Sequence, residues 1–198
     1  MNKKHMKKML IILAIFAIGA GAAYAQDMAV TSASGVGVFG TYWDTDDLGA
    51  GFGGGVKFKA SLGEFLAIEA RASCITKFED WDDSPLTDDD LFVIPLEAAL
   101  VLNLPLGDDV PLTVYGGGGG GYAIIPEADD IDFDDEFTFF GLAGLEFALG
   151  DSASLFGEAQ YRFLEVGGAD SDAGGIDFGD DKMELTGFSV NAGLLFKF

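Results

Sequence analysis

The chain is short of cations. Of its 198 residues only 11 are Lys or Arg, against 33 Asp and Glu, for a formal net charge of −22. That balance repels phosphate and argues against nucleic acid as a partner. Histidine is scarcer still: the one example is His5, among the opening lysines Lys3, Lys4, Lys7 and Lys8. A Ser-His or Asp-His catalytic device has no base anywhere downstream. The single cysteine, Cys74, excludes an internal disulfide framework. No 3.6-residue apolar repeat follows the first 25 residues, so no helix is required.

What is present begins with a leader. Four lysines precede the apolar run MLIILAIFAIGAGA, and Ala23-Tyr24-Ala25 supplies a small-x-small cleavage site. This three-part order predicts a secretory signal peptide over residues 1–25, cut before Gln26. The apolar run is short for a membrane-spanning helix. Residues 26–198 then form one domain, in which all 33 acids remain beside seven cations, a formal charge of −26. Yet 49% of all residues are hydrophobic and 13% aromatic. Such a chain must segregate its acids from its apolar side chains.

The segregation is linear. Acid-rich connectors DTDDL (44–48), EDWDDSPLTDDD (79–90), PEADDIDFDDE (126–136) and the stretch 167–182 hold 22 of the 33 acids. They alternate with short connectors SLGE, GDDV and GDSA. Seven connectors separate eight predicted strands, roughly 30–43, 49–60, 65–78, 91–106, 111–125, 137–149, 154–166 and 183–198. With an even number of meandering strands, every short turn lies at one end and every long loop at the other. That is the plan of an all-β, eight-stranded antiparallel up-and-down transmembrane β-barrel.

A soluble, lipocalin-like ligand-binding barrel has the same strand count, and the two differ in which face is polar. Strand three reads Leu66, Ile68, Ala70, Ala72 and Cys74 on one face, against Glu69, Arg71 and Ser73 on the other. Strand seven reads Leu155, Gly157, Ala159, Tyr161 and Phe163 against Glu158, Gln160 and Arg162. One to three ionisable groups per strand are too few to solubilise an outer wall. As a lining they suffice, because Glu69, Glu97, Glu146 and Glu158 can pair with Lys57, Lys59, Arg71 and Arg162. Buried charge requires such balance. A midplane Arg or Lys turned towards lipid would cost roughly 2–4 kcal/mol. The lining is therefore the charged face.

Two features strain this plan. Pro95 and Pro105 fall within the fourth strand, where a missing N–H demands a bulge, a rim or a turn. Gly116 to Gly121 form an unbroken run, whose expected role is space for large neighbours such as Tyr115, Tyr122 or Phe140. The run satisfies G-x-G-x-x-G, but neither a helix nor Lys-Ser/Thr follows, which argues against a nucleotide site.

The leader, the Gly-rich fifth strand ending in Tyr122, the run Glu158-x-Gln160-Tyr161-x-Phe163 and the alternating last strand together resemble the small outer-membrane β-barrels, the OmpA- and OmpX-like eight-stranded proteins. The resemblance covers all of residues 26–198. It implies insertion in the outer membrane of a Gram-negative-type bacterium, among lipid and lipopolysaccharide. It also implies that Phe188, Val190, Leu194, Phe196 and Phe198 form the signal read by the barrel-assembly machinery. Enzymes resembling barrels of this size rely on a histidine, which the mature chain lacks.

No cofactor is implied. Asp130, Asp132, Asp134, Asp135 and Glu136 are hard oxygen ligands close enough to share Ca²⁺ or Mg²⁺ loosely, although the spacing and glycine of an EF-hand are missing. The expected function is that of a non-enzymatic, monomeric envelope protein presenting acidic external loops. The alternatives are a narrow passive pore and the soluble cup.

Overall fold

The computed structural model describes residues 34–76, 92–106, 110–125, 136–166 and 183–198. The expected cleavage residues Ala23, Ala25 and Gln26, and the acids Asp130, Asp132, Asp134 and Asp135, lie outside the described residues.

The strands are β1 (Gly35–Thr45), β2 (Gly49–Ser61), β3 (Leu66–Thr76), β4 (Ile94–Pro105), β5 (Leu112–Ile124), β6 (Glu136–Ala148), β7 (Ala153–Phe163), β8 (Glu165–Val166), β9 (Met183–Glu184) and β10 (Gly187–Lys197). Eight of them close into an antiparallel barrel in the order β1-β10-β7-β6-β5-β4-β3-β2. The short strands β8 and β9 pair with each other and prolong the β7–β10 hairpin past the rim. Between them Leu185 N donates to Leu164 O at 2.9 Å.

The pairing register sets the barrel's shape. A circuit from Gly35 passes through Lys59, Glu69, Ala99 and Gly119, then Phe140, Arg162 and Gly187, and returns to β1 at Thr45. That stagger of ten residues, from Gly35 to Thr45, belongs to strands tilted about 40° from the barrel axis. Every residue on the circuit faces inward.

The external end begins tightly. Between β1 and β2 the chain turns in three residues, and Gly49 takes a φ of 64° that favours glycine. Thr45 Oγ1 holds this turn by donating to Gly49 O at 3.0 Å and accepting from Leu48 N at 3.2 Å.

Alternation sorts the two faces as a bilayer requires. Buried positions on β7 are Ser154, Phe156, Glu158, Gln160 and Arg162, while Leu155, Tyr161 and Phe163 are exposed. β10 likewise exposes Phe188, Val190 and Phe196 and buries Ser189, Asn191 and Leu195. A soluble cup would reverse these faces.

The outward face is itself graded. Aromatic residues gather towards the long-loop end, with Tyr42 against Phe52, Tyr122 against Phe137 and Tyr161 against Phe163 at ring separations of 5.2, 5.3 and 5.0 Å. Such girdles mark a membrane interface. At mid-height the outward residues are small. Gly54, Gly40, Ala192 and Gly157 are successive ladder partners, as are Ala70, Ala98 and Gly120.

The glycine run makes a close approach of strands. Gly119 faces inward, and a Cβ there would overlap the Ala98 carbonyl oxygen and stand 2.7 Å from Ala99 Cα. The backbone of β4 fills the space that a side chain would need. Phe140 does lie opposite Gly119, but Tyr122 turns outward to Phe137, and Tyr115 lies over Gly144, where a Cβ would come within 2.6 Å of its hydroxyl. Of the neighbours expected to use that space, Tyr115, Tyr122 or Phe140, it is Phe140 that lies opposite the run. Pro95 sits at the external rim without a bulge, since the ladder runs past it to the Ile75–Val93 bridge. Pro105 ends β4 at a short turn.

Candidate functional site

Among the described residues the lumen is the one place where polar groups are buried together, and it fills in tiers. Nearest the short turns, Lys59 Nζ lies 2.9 Å from Glu146 Oε2 and donates to Asn103 Oδ1 at 2.9 Å. Lys197 Nζ reaches the other oxygen of Glu146 at 3.0 Å. β2, β4, β6 and β10 thereby meet around one carboxylate.

The middle tier is the densest. The Arg71 guanidinium bridges Glu158 at 2.5 Å and Glu69 at 2.6 Å. Lys57 stands 3.5 Å from Glu69 and 3.8 Å from Glu158. Glu158 also accepts from the Tyr115 hydroxyl at 3.2 Å and from Asn191 Nδ2 at 3.0 Å. Lys57 lies over the Phe156 ring at 3.7 Å, a contact that attracts a cation to the ring face.

Above it, Arg162 Nε donates to Glu97 Oε1 at 2.8 Å and Gln160 Nε2 donates to the same oxygen at 3.0 Å. The guanidinium of Arg162 stacks over Trp43 at 4.4 Å. From there the lumen turns apolar. Trp43, Leu48, Ile75, Val93, Ala123, Ile125, Leu164 and Leu185 form one buried cluster across the external mouth. Smaller clusters, Phe39-Phe156-Leu195 and Ala99-Val101-Tyr115-Phe140-Leu142, fill the remaining wall.

All eight lumen residues named from sequence therefore meet in three linked tiers. Lys197 and Tyr115 join them unforeseen. The signal for Lys197 was available, because alternation puts it on the face of Ser189 and Asn191. Tyr115 gave none, since an aromatic residue suits either face. The external cap was missed for a different reason: its inward residues are apolar, so alternation fades where β3, β4, β5 and β7 approach the long loops.

The remaining site residues stand apart. Phe188, Val190, Phe196 and Phe198 are exposed on the outer wall, with Leu194 half-buried beside them. Of the expected divalent-ion ligands only Glu136, the first residue of β6, is described. No cluster of metal-ligating side chains occurs among the described residues.

A closed eight-strand wall, apolar outside and ionic inside, defines an integral outer-membrane β-barrel. Residues 10–196 match the outer membrane protein beta-barrel domain family, and the chain belongs to that family. Its fold is similar to that of the outer membrane protein OprG from Pseudomonas aeruginosa, at a TM-score of 0.58 and 15% identity, over 87% of this chain and 99% of that one. Neisserial surface protein A matches at a TM-score of 0.63 and 15% identity, over 84% and 98% of the two chains. The N-terminal barrel of Pseudomonas aeruginosa OprF matches at 0.52 and 10% identity, over 83% and 97%. A search of curated protein sequences finds no match. The protein resides in the Gram-negative outer membrane.

Proposed function

We propose that the protein is a non-conducting, non-enzymatic surface barrel, a rigid membrane body that presents its acidic loops outside the cell. The observation that carries this reading is the doubly closed lumen. Three ionic tiers cross it from wall to wall, and an apolar cap lies over them. An eight-strand barrel is only wide enough for side chains to fill, and here both charged and apolar groups take that space. The glycine run does not favour a gap, because the β4 backbone stands where Gly119 has no side chain.

The absence of histidine after His5 supports a non-catalytic role. The loops, rich in carboxylates, suit divalent cations, and through them the phosphates of lipopolysaccharide. Planar-bilayer recording of the refolded protein tests the reading. The expected trace is silent; reproducible single-channel steps would overturn it in favour of a narrow pore.

A further inference from the structure

The three tiers of the lumen do not carry the same charge. In the middle tier Arg71 and Lys57 face Glu69 and Glu158, and above it Arg162 faces Glu97. Both tiers are neutral. In the tier nearest the short turns, Lys59 and Lys197 share the single carboxylate of Glu146, at 2.9 and 3.0 Å. Among the described residues the lining is therefore one negative charge short, and the deficit is confined to the periplasmic end. The described acids of the short turns, Glu64 and Asp151, are exposed to water, where their charge is screened. An enclosed cation without a counter-charge is costly, so a further group must balance this one.

The register concentrates the surplus. Lys59 and Lys197 are both ladder partners of Gly35, which has no side chain to part them. Lys59 donates to Glu146 and to Asn103, which leaves one of its three ammonium protons. Neutral groups at the same place are unsatisfied as well. Asn103 is 2% exposed; its Oδ1 accepts from Lys59, and its Nδ2, on the same amide carbon, has no partner. Ser154 is fully buried, and its Oγ has none either. It lies opposite Leu195 and Ala148, one inward position from both Lys197 and Glu146.

Buried amide donors are nearly always bonded. Nδ2 can only donate, as can both ammonium groups. A water would satisfy the donors and leave the charge; a cation would worsen both. A multiply charged anion would overshoot a deficit of one. The side chain of Lys197 is 17% exposed, which gives a small anion its way in from the periplasm.

We propose that the periplasmic end of the lumen binds one small monovalent anion of the halide class, held by Lys59, Lys197 and the Asn103 amide, with the Ser154 hydroxyl as a fourth donor. The ion completes the neutrality of the plug. The proposal concerns the inside of the wall and stands whatever the acidic loops bind.

Crystals of the folded protein grown in detergent with sodium bromide as the salt test it, with data collected at the bromine absorption edge. The expected result is one anomalous peak within hydrogen-bond reach of Lys59 Nζ, Lys197 Nζ and Asn103 Nδ2. Urea unfolding in vesicles at fixed ionic strength, with chloride replacing gluconate, gives a second readout. A tenfold rise in chloride above half-saturation should raise the folding constant about tenfold, as one bound ion requires. Asn103→Asp supplies the missing charge from within, and Lys197→Met removes the surplus. Each should abolish both the peak and the chloride dependence while gel mobility shows it folded; if Asn103→Asp does not fold, Lys197→Met alone decides. A tier without a bromide peak overturns the proposal and assigns the space to water. A peak without chloride dependence, an ion bound at crystal concentration only, overturns it too. So does a peak or a chloride dependence of equal size in Lys197→Met, the mark of a general salt effect.

Discussion

Arg71 and Glu158 join opposite walls of the barrel. β3 and β7 stand four strands apart in either direction, and the guanidinium on one lies 2.5 Å from the carboxylate on the other. The bond runs along a diameter, so it braces the ring rather than one hairpin. Lys59 and Glu146, on β2 and β6, span a second diameter nearer the periplasm.

Breaking the central brace should be costly. Glu158→Ala leaves Arg71 and Lys57 sharing Glu69 alone, and an uncompensated buried charge costs about 3–5 kcal/mol. Urea unfolding in lipid vesicles, followed by gel mobility, is expected to show that loss. The double variant Arg71→Met with Glu158→Leu removes both charges and should recover much of it, because an apolar pair of similar volume replaces a buried ion pair at little net cost.

Trp43 anchors the cap and is fully buried. Trp43→Ala is expected to destabilise the barrel by about 3–5 kcal/mol through the cavity it leaves. In planar bilayers the variant should remain silent, since the Arg162–Glu97 tier below is intact. Steps from this single variant would show that the cap alone seals the lumen.

Alternate glycines of one run should respond differently. Gly119→Ala forces a methyl group into the β4 backbone and should cost on the order of 1–3 kcal/mol or prevent folding. Gly116→Ala faces outward with its nearest neighbour at 3.5 Å, and should change stability by less than about 0.5 kcal/mol. Equilibrium unfolding of the two variants side by side gives the contrast.

Lipid contact has its own depth profile. Ala98 lies outward at mid-height and Leu104 outward near the periplasmic turn. Ala98→Arg should destabilise by about 2–4 kcal/mol and Leu104→Arg by about 0–1 kcal/mol. Vesicle unfolding titrations measure both, and equal costs would contradict the assignment of faces.

Much of this architecture is legible in the chain. Alternation such as Glu158-Ala159-Gln160-Tyr161-Arg162 states the side of each residue, and paired neutrality of the lining states that the charged side is enclosed. Partnership is another matter. Which Glu meets which Arg depends on the stagger of the closed ring, and no single strand carries that information. The external cap hides for a chemical reason: Ile75, Val93 and Leu164 point inward although a membrane barrel's lining is expected to be polar. Above the bilayer the interior becomes a core of the soluble kind, and the binary pattern that reads the wall no longer reads the plug.

The seam where Gly35 lies opposite Lys197 has a bearing on biogenesis. Until those two strands meet, β1 and β10 each offer an unsatisfied row of peptide groups, and in hydrocarbon every such group is penalised by several kcal/mol. A partly zipped curl therefore has no comfortable place in the bilayer. Insertion and circularisation must be a single event, and the pairing of β10 with β1 is the step that completes it.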